Sequence, residues 1–239
     1  MGRKFALKVV VLVGAALLCA PGFAQGDGAV VERPSIPADA MPPIVVFSQA
    51  WPDAMPPYYS VAVESTGRAT YYSTPKSVNS GDPYTMRFTL SPEAQKRVFE
   101  IAKQLNYFQG NYDFKKSKIA FTGTKTLSFQ NGNEQHQTTY NWSDNMAIQQ
   151  LTKLFQEISE TVEIGRVISE KYRFDKLGVD AEMKKLEEAS KDDRVAELQA
   201  IQPLLERISK DTGMMNITRR RADALLAKIP PGARVNAQK

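Results

Sequence analysis

Apolar and polar residues alternate on both sides of a glycine in 57–73, which reads PYYSVAVESTGRATYYS. Before the break, Tyr59, Val61 and Val63 alternate with Ser60, Ala62 and Glu64; after it, Ala69 and Tyr71 alternate with Arg68, Thr70 and Tyr72. A period of two predicts strands, and Gly67, free to take positive φ, predicts the hairpin loop between them. The pattern puts Tyr59, Val61, Val63 and Tyr71 on a buried face and leaves Glu64 and Arg68 in water. Further strands are expected at 44–47 (IVVF) and 84–90 (YTMRFTL), and a second hairpin at 124–130 and 134–142 around the NGN turn.

The period then changes to that of a helix. Ala94, Val98, Ile101, Ala102 and Leu105 follow Ser91 as N-cap and Pro92 in the first turn. A much longer stripe, Ile148, Leu151, Phe155, Ile158, Val162, Ile168 and Tyr172, follows a cap expected at Ser143 or Asp144. Beyond Gly178 strand signals vanish, and helices are expected over 180–190, 193–210 (bent at Pro203) and 216–229. Strands with one helix between them, then helices alone, predict an α+β fold: a small antiparallel sheet built from hairpins with one packed helix, then a long helix and an all-helical C-terminal extension.

The ends of the chain read differently. Arg3, Lys4 and Lys8 precede the apolar run 9–20 (VVVLVGAALLCA), and GFA ends at Ala24 with small residues. This is the pattern of an export signal over 1–24, and its apolar run is shorter than the ~20 residues that cross a bilayer. The mature chain is expected to be periplasmic or secreted, without a transmembrane segment, with a proline- and glycine-rich leader at 25–43, the sheet domain at 44–165, the helical extension at 166–229 and a polar tail at 230–239. The single cysteine, Cys19, lies in the signal behind Leu18, where a lipid-attachment site needs a small residue. The processed chain is therefore expected to lack thiol chemistry and disulfides.

Losing the signal also lowers the basic count from 31 to 28 against 26 acidic residues, so the formal net charge falls from +5 to +2. Nucleic acid is thereby not an expected partner. The sequence contains no phosphate loop, nucleophile elbow or dinucleotide fingerprint, and one histidine cannot build a histidine-rich zinc site. No cofactor, metal site or catalytic residue is assigned.

The residues Pro57, Tyr59, Ser60, Val63, Gly67 and Tyr71 fit a P-x-Y-S-x-x-V-x-x-x-G-x-x-x-Y signature, and in this the chain resembles a domain of unknown function found in exported bacterial proteins. The resemblance spans roughly residues 44–164. It implies export and fold, and brings no catalytic residues. The family places a cysteine just before the first proline; Pro56 stands there instead, so the implied disulfide is absent.

Four places carry candidate chemistry, each with two readings. His136 is the only side chain with an unperturbed pKa near neutrality, yet it sits on an expected surface strand. Glu187-Glu188 and Asp192-Asp193 offer carboxylates for a hydrolase, but among lysines they read as a solvated helix face. Trp51 and Met55 put rigid apolar surface into a proline-rich loop, either to grip a peptide or glycan or to cap the open end of the sheet core. Arg219, Arg220 and Arg221 either meet an anionic surface or pair with carboxylates of adjoining helices. The preferred function is a non-catalytic exported module that binds an envelope protein or glycan; the alternative is an envelope hydrolase whose carboxylates only the fold brings together.

Overall fold

The computed structural model describes residues 41–75 and 81–234; the expected export signal, most of the leader and the end of the tail lie outside them. Six strands, β1 (Ile44–Ala50), β2 (Tyr58–Glu64), β3 (Arg68–Thr74), β4 (Tyr84–Thr89), β5 (Thr124–Asn131) and β6 (Glu134–Tyr140), form one antiparallel sheet in the order β4-β3-β2-β1-β5-β6. Helices α1 (Pro92–Gln104) and α2 (Met146–Phe174) contribute to its core, and α3 (Val179–Lys191), α4 (Gln202–Lys210) and α5 (Asn216–Lys228) follow. The class is α+β, with the strands ahead of the long helix and the remaining helices at the C-terminal side.

The hairpin of 57–73 has the expected register. Val61 faces Phe47 on one side and Tyr71 on the other, and Val61, Val63 and Tyr71 are fully buried. Gly67 takes φ +86° in the turn, while Arg68 pairs with Glu64 at 2.7 Å in water. Strand β1 runs three residues further than the IVVF run indicates, to Ala50, because Ser48, Gln49 and Ala50 remain paired with both β2 and β5.

Register lines the inward side chains up in three rows across all six strands. From β4 to β6 the first row is Phe88, Ala69, Val63, Val45, Phe129 and His136, and the second is Met86, Tyr71, Val61, Phe47, Leu127 and Thr138. These hold most of the apolar residues that the strands give to the core, with Phe47 stacked on Phe155 of α2 at 5.3 Å. The third row, Tyr84, Ser73, Tyr59, Gln49, Lys125 and Tyr140, is polar throughout. Buried polar groups need partners. On the β3 side Glu163 of α2 supplies them, its Oε1 accepting from the Tyr71 and Ser73 hydroxyls at 2.7 Å each, while Arg166 Nε donates to Oε2 at 2.8 Å.

Helix α1 is capped as its sequence predicts, the Ala94 amide donating to Ser91 Oγ at 3.2 Å. Helix α2 is capped by Asn145 rather than Ser143 or Asp144: Asn145 Oδ1 accepts from the amides of Ala147 and Ile148, and Ser143 Oγ accepts from the Asn145 amide instead. Its stripe is shared, residues up to Val162 entering the sheet core and Ile168 entering a second core with Val179, Met183, Leu186, Leu205, Ile208 and Leu225.

The helix expected over 193–210 forms only from Leu198, as a 3₁₀ turn (Leu198–Ile201) leading into α4 with Pro203 in its first turn. Residues 193–197 are instead a strap laid over α2 and α1, with Asp193 at φ 50° and Glu197 at φ 58°. Tertiary bonds replace the helical ladder here. The Ala196 carbonyl accepts from Thr161 Oγ1 at 2.5 Å, and the Glu197 carboxylate accepts from the Ser91 amide and hydroxyl at 2.6 and 2.8 Å. A carboxylate at a helix N-terminus is stabilised by the exposed amides and the dipole there, so the strap fastens the C-terminal helices to the start of α1.

Gly165 lets α2 pack closely against the 3₁₀ turn that follows the strap. A β-carbon there would lie 2.5 Å from Cγ2 of the buried Ile201. Elsewhere in a helix Gly→Ala gains up to ~1 kcal/mol. Here Gly165→Ala is expected to cost about 1–3 kcal/mol through overpacking, read as a lower melting temperature.

Candidate functional site

The polar row continues beyond β2 into a cleft at the end of the sheet where β1 and β6 finish. Trp51 comes directly off β1 and Trp142 two residues after β6, and α2 contributes Ile148, Gln149, Thr152, Lys153 and Gln156. The cleft has a volume of about 480 Å³; Gln49, Lys125, Tyr140, Thr122, Asn141 and Ser143 complete its wall.

Its floor is fully bonded. Gln49 Oε1 accepts from the Tyr59 hydroxyl at 2.9 Å and from Gln156 Nε2 at 3.0 Å, and Gln49 Nε2 donates to the Thr122 carbonyl. The Thr152 hydroxyl donates to the Ile148 carbonyl, which leaves it to accept from the Tyr140 hydroxyl at 2.5 Å. Burial pushes the Tyr59 and Tyr140 hydroxyls well above the usual phenol range, so both stay protonated.

Lys125 is the unusual member. The residue is 5 % exposed, and its ammonium donates to the carbonyls of Thr122, Gly123 and Asn141 and to the Thr122 hydroxyl at 2.8–3.3 Å, with no carboxylate among its partners. Burial lowers its pKa. The neutral oxygens nonetheless favour the charged form, and with its protons committed to them the ammonium ties the 122–123 loop to Asn141 rather than standing ready to react. Gly123, at φ +94°, brings this loop against Trp51; a β-carbon there would meet Trp51 Cβ at 3.0 Å. Asn141 completes the frame by accepting from the Thr122 amide and donating to the Ala120 carbonyl. Phe114 packs edge-on against Trp142 at 5.0 Å.

The residues singled out in the sequence do not converge. Trp51 is half-buried in the cleft wall; Met55 lies outside that wall, 76 % exposed. His136 is on the edge strand in the first inward row, two rows from the cleft's Tyr140, with Nε2 2.8 Å from both Glu134 Oε1 and Gln109 Nε2. The three arginines divide. Arg221 lies between α5 and α3, bonded to Asp180 and at 3.1 Å to Glu187; Arg219 meets the Asn216 amide; Arg220 points into a shallow groove between the two helices. Glu187 and Glu188 border that groove, but Glu187 is engaged by Lys191 and Arg221, which hold its carboxyl below the usual range, and Glu188 faces Lys184. A carboxylate held in its charged form, as Glu187 is, makes a poor proton donor.

Among the described residues no cluster of His, Cys, Asp and Glu is arranged to hold a metal, and no helix is long and apolar enough to cross a membrane. Gln49, Lys125, Tyr140 and Trp142 are the site residues that motif reading passes over. No family model matches the sequence, and no curated protein matches it.

Proposed function

We propose that this protein is a non-catalytic binding module exported to the bacterial envelope, and that the cleft between Trp51 and Trp142 seats a segment of a neutral glycan. The observation that carries the reading is the lining: two tryptophans with amides and hydroxyls, without one Asp or Glu, and with its two lysines already engaged, Lys125 by neutral oxygens and Lys153 by Glu157. Aromatic faces match the apolar C–H faces of sugar rings, and amides and hydroxyls match their hydroxyl groups. Gln149 and Gln156 on α2 line the cleft, and their side-chain carbonyls are the acceptors such hydroxyls would meet. A hydrolase of glycosides needs two carboxylates about the scissile bond, and this cleft offers none, which favours binding over the hydrolase alternative. Of an envelope protein and a glycan, the cleft size favours the glycan. Export is supported by the leader pattern, and by the resemblance of the 57–73 hairpin to the exported bacterial domain. An anionic surface remains a partner for Arg219 and Arg220, whereas Arg221 is committed to α3.

The chain contains two tryptophans, and both line the cleft, so selectively excited tryptophan fluorescence reports on this site. Titration with a soluble β-linked N-acetylglucosamine oligomer is expected to shift the emission to saturation. Trp51→Ala should weaken binding by about 2 kcal/mol, roughly thirtyfold, as loss of an aromatic anchor does. Emission that stays constant across the soluble range of glycan would overturn the reading, and emission moved only by an extended peptide would reassign the cleft.

A further inference from the structure

One end of the helical extension combines apolar side chains held in water with guanidinium groups that lack carboxylate partners. Phe174 closes α2 and Leu177 sits in the turn to α3; at 83 % and 81 % they are the most exposed large apolar side chains among the described residues. Met215 and Ile217 flank the start of α5 and are 43 % and 48 % exposed. The turns carrying the two pairs are fixed side by side. Lys176 Nζ lies 2.9 Å from Asp211 Oδ2, the Tyr172 hydroxyl donates to the same oxygen at 2.8 Å, and Thr218 Oγ1 donates to Asp180 Oδ1 at 2.8 Å. Asp211 Oδ1 in turn accepts from the Gly213 amide, so its carboxylate organises both turns. The Lys176 ammonium, then the Tyr172 hydroxyl, hold that carboxyl at about 2.

The charge at this end is one-sided once the pairs are set aside. Asp175, Asp180 and Asp211 are engaged by Lys171, Arg221 and Lys176. Arg173 and Arg220 make no ion pair among the described residues, Arg219 bonds only the Asn216 side chain, and Arg219 Nε is buried without an acceptor. Arg173 precedes Phe174 on α2, and Arg219 and Arg220 follow Ile217 on α5, so three guanidinium groups without an ion pair among the described residues accompany the exposed apolar side chains in sequence; Arg220 also borders the α3–α5 groove, whose Glu187 and Glu188 face Lys191, Arg221 and Lys184. A soluble partner face would have to supply acids and an apolar socket together; an anionic bilayer presents phosphates directly above an apolar layer.

We propose that this end is a peripheral membrane anchor, with Phe174 and Leu177 entering the boundary between headgroups and acyl chains of an anionic bilayer and Arg173, Arg219 and Arg220 lying at the lipid phosphates. Long basic side chains keep their heads in the interface while their stems lie along apolar surface, and shallow insertion of a few large apolar side chains adds to the electrostatic term. The inference extends the anionic-surface reading above and rests on it for the charge contribution; it is independent of the cleft.

The test is vesicle flotation of the chain from Gln25 onward, since the apolar run at 9–20 would itself take up lipid. Vesicles of phosphatidylglycerol and phosphatidylcholine are compared with pure phosphatidylcholine. The parent should float with the anionic vesicles at low salt and far less with the neutral ones, and salt should weaken the contact. Phe174→Ser with Leu177→Ser should weaken binding by on the order of a hundredfold, and Arg173→Gln, Arg219→Gln and Arg220→Gln together by a similar factor, each with the parent's melting temperature. Parent-like flotation of the Phe174/Leu177 variant overturns insertion while leaving the charge contact standing. A parent that never floats overturns both. A parent that instead dimerises in sedimentation velocity, with the dimer lost in that variant, overturns the anchor in favour of a second copy of the chain.

Discussion

Val61→Asp is expected to leave the sheet core unable to fold stably, with a loss of about 3–5 kcal/mol against a typical total of ~5–15 kcal/mol. Val61 is fully buried on a central strand, in the middle row between Phe47 and Tyr71, and apolar side chains surround it. The nearest polar groups of the same face are already committed: the Tyr71 hydroxyl to Glu163, and the Tyr59 hydroxyl to Gln49. A carboxylate there would find neither water nor a donor. Burial would raise its folded-state pKa above the unfolded value of about 3.9, so the folded state would bind the extra proton. The sign follows: the penalty is smallest below pH ~4 and grows as pH rises toward the raised folded value. Chemical denaturation of parent and variant at pH 5 and pH 8 checks both points. Equal stability at both pH values would mean that β2 turns its other side inward, since a slip of one residue exchanges the two faces.

The hairpin was legible because period-two alternation, a glycine turn and a charged pair in water all specify one register. The cleft was not, although part of its signal was present. Lys125 has the same parity as Leu127 and Phe129, and Gln49 the same as Val45 and Phe47, so each is a polar residue on a buried face. In a linear reading Lys125 passes as an ordinary strand lysine, and Gln49 falls into the loop because its partners, Tyr59, Gln156 and Thr122, lie at 10, 107 and 73 residues' separation. What the sequence does not encode locally is that β1 and β6 end on the same side of the sheet, and this alone makes Trp51 and Trp142 face one cleft. The same limit explains the strap at 193–197: its composition suits a helix, and bonds to Thr161 and Ser91 override that preference. The run RRR likewise hides a division of labour, because α3 captures Arg221 and leaves Arg220 without an ion pair among the described residues.

Ending the chain after Lys176 is expected to produce a protein that aggregates rather than a smaller stable domain. Two separate losses act together. Helix α2 would remain whole but its second half would lose α3, α4 and α5, so Ile168, now fully buried, and the partly buried Ile164 and Tyr172 would face water on one side. A contiguous apolar stripe of that kind exceeds what soluble monomers usually expose. The sheet core would lose in addition the Glu197 carboxylate from Ser91 at the start of α1, and the Ala196 carbonyl from Thr161. These contributions separate experimentally. Ile164→Gln and Ile168→Gln in the shortened chain should restore solubility without restoring the parent's melting temperature, because the polar replacements address the stripe and leave the α1 terminus without the Glu197 carboxylate. Glu197→Ala in the full chain isolates the other half, and is expected to lower stability by about 1–2 kcal/mol, the range of a lost N-terminal helix contact, with solubility unchanged. If the chain ending at Lys176 is monomeric and melts with the parent, neither contact matters and the C-terminal helices are a separable domain; sedimentation velocity and thermal melting on these four proteins decide it.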